Sequence, residues 1–157
     1  TIVGARIVAI ANEFSLDTYI FMELDKRTVI DEARLGKIRR TLVSVLSTDD
    51  SRTLKVTRRA SRQVRVFSTK TVIHFEKDTA NRRTVMELDA RDRPGLLSIV
   101  GKTFIVLDVN IETAKILTIG ERAEDVFFIV DDNKQPLADE TCQKLQALLI
   151  ERLDTKS

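Results

Sequence analysis

The chain has 157 residues, 43% of them apolar and 32% charged, with a net charge of +2. That length and apolar share allow one domain, or two small ones, with a true core, and the balanced charge excludes an acidic disordered tail and a broad nucleic-acid surface. One cysteine and one histidine exclude an internal disulfide, a cysteine-built zinc site and any mechanism that needs two histidines from this chain.

No apolar run reaches ~18 residues, so no membrane span is predicted. Charges interrupt the start within a few residues, which argues against a signal peptide and makes a reducing cytoplasm the expected compartment. The chain opens on Thr1 rather than Met, as a piece of a longer protein would.

Thr1 to Ala11 is rich in Ile and Val and reads as a strand; Asn12 to Ser15 is a hairpin turn, and Leu16 to Leu24 a second strand. Asp31 opens a helix whose stripe, Leu35, Ile38, Leu42, Val45 and Leu46, is expected to be buried. Residues 47–69 form a basic connector, with Arg52, Lys55, Arg58, Arg59, Arg62 and Arg65 and almost no acid. It reads as a solvated linker or as a docking surface for acid or phosphate. With Phe67 as its one aromatic it lacks the stacking residues of a single-strand nucleic-acid binder. Thr71 to Glu76 is a clear strand, broken by Asp78 to Asn81.

Arg83 to Ala90 is the next strand, followed by the turn Asp92-Arg93-Pro94-Gly95. A helix follows with Leu96, Leu97, Val100, Phe104 and Leu107 as its stripe. Asp92 is a candidate N-cap, and Pro94 is tolerated in a first turn. Asp108 closes this helix in a conformation that Asn, Asp or Gly adopts most easily. Asn110 to Thr118 and Ala123 to Val130 are strands joined at Ile119-Gly120-Glu121. Asp131 to Pro136 is a turn-rich loop. Asp139 opens a last helix carrying Leu145, Leu148, Leu149 and Leu153, and Asp154 to Ser157 is a polar tail.

The two halves repeat. Ala5-Arg6-Ile7-Val8 matches Ala114-Lys115-Ile116-Leu117, Asp17 to Phe21 matches Asp125 to Ile129, and Asp31-Glu32 matches Asp139-Glu140. The offset is about 108 residues, with one residue of slack in the hairpin. The second copy is preceded by a strand, the Asp-Arg-Pro-Gly turn and a helix; the first is not. One unit therefore reads β-α-β-β-α, a split β-α-β arrangement with helices on one face of an antiparallel sheet. The strand Ala123 to Val130 is apolar on both faces, so the helix-free faces or edges are expected to be covered by the other repeat or a second chain.

The run from Arg82 to Leu153, with DRPGLLSIVGKTF followed by DVNIETAKILTIGERAEDVFFIVDDNKQPL, resembles the ACT domain, a small amino-acid-binding regulatory module. More narrowly it is similar to the second of the tandem ACT domains that end the bifunctional PII uridylyltransferase/uridylyl-removing enzymes of bacterial nitrogen control. Gly120 to Phe127 is the more diagnostic phrase, and Val3 to Leu46 resembles the first ACT copy. The resemblance implies an α+β chain of two ferredoxin-like βαββαβ units. The first, 1–78, is truncated, lacking its first strand and helix; the second is 79–157.

The resemblance also implies that the pair senses glutamine for an enzyme that adds uridylyl to the PII signalling protein and removes it. Amides in the Arg93 to Leu97 segment, which includes Pro94 and Leu96, would hold the ligand carboxylate at the helix start, Gly95 would allow close approach, Asp92 would accept from the ammonium, and Asn110 and Ile111 would line the pocket from a neighbouring unit. Catalysis belongs to upstream domains with magnesium or manganese chemistry. Here Asp131-Asp132 reads as a polar turn, His74 as a packed or edge residue and Cys142 as ordinary packing. No metal, membrane or nucleic acid is expected as a partner of this chain; a homo-oligomer is. The competing readings are a ligand-free structural or oligomerising ACT pair, and the ACT region of another enzyme of amino-acid metabolism.

Overall fold

The structure, a computed structural model, describes residues 2–10, 14–23, 31–47 and 70–154. Residues 11–13, which include the start of the turn expected at Asn12 to Ser15, residues 24–30, most of the connector (48–69) and most of the tail (155–157) lie outside the described residues. Among the described residues are six strands and three helices: β1 (Ile2–Ile10), β2 (Phe14–Phe21), α1 (Glu32–Leu46), β3 (Val72–Asp78), β4 (Arg83–Arg91), α2 (Leu96–Val106), β5 (Asn110–Ile119), β6 (Arg122–Val130) and α3 (Asp139–Asp154). The strands form one antiparallel sheet in the order β2-β1-β5-β6-β4-β3. The fold is α+β, with two ferredoxin-like units joined edge to edge in that sheet.

The period-2 pattern of the central strands decides which face is the core. Thr84, Met86, Leu88 and Ala90 of β4 and Ala123, Asp125, Phe127 and Ile129 of β6 are all buried on the face that the helices cover. Phe104 of α2 meets Phe127 edge to face at 5.5 Å, and Leu145 and Leu149 of α3 are fully buried beside them. On the opposite face the Arg83 guanidinium lies 4.2 Å from the centre of the Phe128 ring, a cation–π cover for one of its apolar side chains.

The repeat is visible in the hydrogen-bond ladders. In the first copy the register shifts between Ile2 and Gly4. In the second it shifts between Ile111 and Thr113, the counterparts of those residues. The two copies join through β1 and β5, with Ala5 opposite Ile116, Arg6 opposite Lys115 and Ile7 opposite Ala114. Ala5 is the counterpart of Ala114 and Ile7 of Ile116, so the pairing is reciprocal. A pseudo-twofold axis passes between Arg6 and its own counterpart, Lys115. Thus the first copy covers the β5 edge of the second, the edge half of the expected cover. Among the described residues nothing covers the helix-free face here, with Ile10, Phe14, Leu16 and Ile20 more than half exposed.

Two expectations are corrected. The strand at Thr71 to Glu76, expected within a 1–78 unit, is hydrogen-bonded along β4 from Val72–Asp89 to Asp78–Arg83. It takes the edge place that a βαββαβ unit gives its last strand. The reason is local: a tight turn closes the hairpin, with the Asp78 carboxylate accepting from Asn81 N and Nδ2 and from Arg83 Nε. The α1 stripe is not buried. Leu42 is 55% exposed and Leu46 83%, and Leu35, Ile38 and Val45 are half-buried. The helix forms for local reasons, with the Asp31 carboxylate capping Ala33 N at 3.0 Å, but nothing described packs over its stripe.

Candidate functional site

The turn between β4 and α2 is fixed by its own residues. Leu96 N donates to Arg93 O at 3.2 Å, with Pro94 and Gly95 in the middle and Gly95 at φ 89, ψ 2. Proline first and a left-handed residue second define a type II turn. At this φ only glycine is unstrained. The N-cap of α2 is therefore Gly95 and not Asp92, which lies three residues before it. Asp92 instead anchors the turn, its N–H donating to Glu121 O in the β5–β6 hairpin at 2.9 Å. Arg93 reaches the other way. Its Nη2 donates to Arg152 O at 2.7 Å, at the C-terminal end of α3, where exposed carbonyls carry partial negative charge. Burial lowers its pKa from the ordinary guanidinium value, and Asp154 nearby opposes that shift.

At its far end α2 closes with paired bonds, Val109 N to Phe104 O and Asp108 N to Ile105 O, and with Asp108 at φ 51, a Schellman motif. The expected left-handed Asp108 is there.

Beneath the turn lies a cavity of about 360 Å³. Its roof is the turn and the first helical turn (92–98); its floor is Ile116 and Thr118 of β5 and Ala123 and Asp125 of β6; Ile2 of β1 closes one side. It is built by both copies. The amides of Leu97 and Ser98 sit in the first turn of α2, where the helix supplies no acceptors and its dipole favours an anion.

Of the residues expected at the site, Asp92, Arg93, Pro94, Gly95 and Leu96 line this cavity. Asn110 and Ile111 do not. They begin β5, about 17 Å along the strand from Ile116, and Asn110 Nδ2 donates to Asp132 Oδ1 at 2.8 Å. The geometric idea behind them, a neighbouring unit's opening strand, is met by Ile2, which is the repeat counterpart of Ile111. Sequence reasoning missed Asp125. Its signal was parity: it shares a strand face with Ala123, Phe127 and Ile129, where a carboxylate is out of place. Asp125 is 1% exposed. Its Oδ1 accepts from Leu117 N at 3.2 Å and its Oδ2 is buried with no hydrogen-bond partner among the described residues. Burial, with Asp92 adding repulsion, pushes its carboxyl pKa up to about 6.

The other candidates are ordinary. Asp131 closes its loop by accepting from Asn133 N and Gln135 N. Burial raises the Cys142 thiol, which makes it a poor nucleophile. His74 stands on the exposed face of β3 opposite Glu87. Among the described residues no group of three or more His, Cys, Asp or Glu is placed to hold a metal, and no helix is long and apolar enough to cross a membrane.

No family model matches the chain, and no solved structure matches it. Curated relatives do. A bifunctional uridylyltransferase/uridylyl-removing enzyme of Ectopseudomonas mendocina is 39% identical over 155 residues, 98% of this chain. One from Pseudomonas fluorescens is 40% identical over 151 residues, 95% of this chain. One from Pseudomonas aeruginosa is 39% identical over 155 residues. In each case the match spans 17% of the relative's length.

Proposed function

Because this chain belongs with that region of the bifunctional uridylyltransferase/uridylyl-removing enzymes, we propose that it is an amino-acid-sensing regulatory region, with glutamine as effector. The observation that carries this reading is the cavity beneath the type II turn, walled by both copies of the repeat. A helix start suits the α-carboxylate, and the close backbone approach at Gly95 suits a small ligand. A cavity walled by two copies also gives an effector a way to act, since binding there favours one relative placement of the copies over others. In a full-length enzyme, high glutamine would favour removal of uridylyl from a PII signalling protein and low glutamine its addition. The metal-dependent catalytic chemistry would reside in other domains.

Isothermal calorimetry of this chain with glutamine, and with glutamate and asparagine as controls, tests the proposal. Saturable heat with glutamine alone supports it; silence with every amino acid sinks it. The open apolar side of β2 (Phe14, Leu16, Ile20) favours a second reading, a ligand-free docking pair. Under that reading sedimentation would show stable self-association that no amino acid alters.

A further inference from the structure

We propose that Asp125 is the counter-ion for the ligand's ammonium group, and that the cavity therefore discriminates an α-amino acid from the same molecule without its amino group. This rests on the reading that the cavity takes an amino acid, and assigns it a specificity residue.

The register fixes where Asp125 points. It stands on β6 opposite Leu88 of β4, on the face that α2 and its turn cover, and it forms part of the cavity floor. One oxygen is spent on Leu117 N; the other is buried and unpartnered among the described residues. A buried carboxylate oxygen left without a donor is costly, and a fold retains one where something else supplies the donor. No described residue bonds Asp125 Oδ2. Leu88, Ile116, Leu96 and Ile2 are apolar, and Asp92 of the turn is another acid. Arg93, the one basic side chain lining the cavity, directs its Nη2 to Arg152 O on α3, and its Nε is itself buried without a hydrogen-bond partner among the described residues; the hydroxyls of Ser98 and Thr118 also line the cavity without bonding the free oxygen.

The arrangement is thus polar at two places with opposite demands. The helix start above wants an anion, and Asp125 below wants a cation. Their separation across one small cavity suits a zwitterion better than any singly charged ligand. An ammonium is also the right donor chemically: its charge and its three N–H groups suit a carboxylate oxygen that lacks a donor. The raised carboxyl pKa of Asp125 agrees with this geometry, since a group held for a missing cation is hard to ionise until the cation arrives.

The test is calorimetry on the whole chain with L-glutamine and with glutaramic acid, its des-amino analogue, for the wild type and for Asp125→Asn. Asparagine keeps an acceptor for Leu117 N and removes the charge. The wild type is expected to prefer glutamine by at least about tenfold, the scale of one charge-assisted hydrogen bond. Asp125→Asn is expected to bind glutamine at least about tenfold more weakly, to lose most of that preference, and to melt no lower than the wild type. A purely structural aspartate would show the reverse: a lower melting temperature with the preference intact. If the variant keeps the wild-type preference, or loses both ligands equally, the counter-ion role is overturned while the amino-acid site stands. If the wild type binds neither glutamine nor the control amino acids, the sensing proposal and this inference fail together.

Discussion

The helices α1 and α3 carry the same stripe with opposite fates. Counted from each helix start, Ile38, Leu42 and Leu46 fall where Leu145, Leu149 and Leu153 fall. Leu145 and Leu149 are 0% exposed; Leu42 and Leu46 are 55% and 83% exposed. The two copies of the strand aspartate divide in the same way, since Asp17 is exposed on β2 while its counterpart Asp125 lies buried under the turn and α2. Periodicity specifies which face of an element is apolar. Whether that face is buried depends on a partner layer, which the second copy has in β3, β4 and α2 and the described part of the first copy lacks.

The contrast is sharpest in the core. Leu149→Ala should cost about 2–5 kcal/mol of stability by urea denaturation, whereas Leu42→Ala should change it by less than about 0.5 kcal/mol. Equal costs would mean that α1 is packed in solution against something other than the described residues.

Next in size is the pH dependence that the buried Asp125 confers. The folded carboxyl pKa of Asp125 is raised to about 6 from an ordinary 3.8, so the folded chain holds this proton longer than the unfolded chain does. Its contribution therefore favours folding below about pH 4 and is lost as pH rises toward 7. Relative to Asp125→Asn, the wild type should lose up to roughly 3 kcal/mol across that window. Parallel melting curves of the two proteins from pH 4 to 7 check this, and a flat difference would place Asp125 in a wetter site than its burial indicates.

Gly95→Ala should cost about 1–2 kcal/mol, because alanine at φ 89 is strained, and should weaken glutamine binding through loss of the turn. Gly36, on the exposed helix of the first copy, should instead gain up to about 1 kcal/mol on the same change, as an interior helical glycine does, with Arg40 Nη1 the nearest atom at 3.3 Å and able to swing away. Smallest is Asp108→Gly, expected within about 0.5 kcal/mol of wild type, since aspartate already tolerates the left-handed position that the Schellman closure needs.

Much of this was legible beforehand. The Pro-Gly pair, the helix after it, the left-handed Asp108 and the repeat all follow from local chemistry: a fixed φ at proline, a glycine that accepts positive φ, and apolar residues at regular spacing. The shared shift at Ile2–Gly4 and Ile111–Thr113 shows that the repeat extends to backbone detail. Less legible were features that need two distant elements. Asp92 looked like an N-cap because it precedes a helix, yet the type II turn puts the helix start at Gly95. Asn110 and Ile111 were expected to line the pocket from a neighbouring unit; at this cavity Ile2, the repeat counterpart of Ile111, takes that place, and sequence spacing does not say which strand edge meets which.

The elements, their apolar faces and the doubling of the unit follow from the order of residues alone, since these depend on residues within a few positions of one another. Long-range pairing is what puts β3 at the edge of the second unit, joins the copies through β1 and β5 about a pseudo-twofold axis, and sets Asp125 in a cavity that Ile2 also lines. Those facts rest on hydrogen-bond ladders and packing between residues that can lie more than a hundred positions apart. Chain-closure entropy makes no local pattern sufficient to choose such partners, and the choice falls to the packing of the whole sheet.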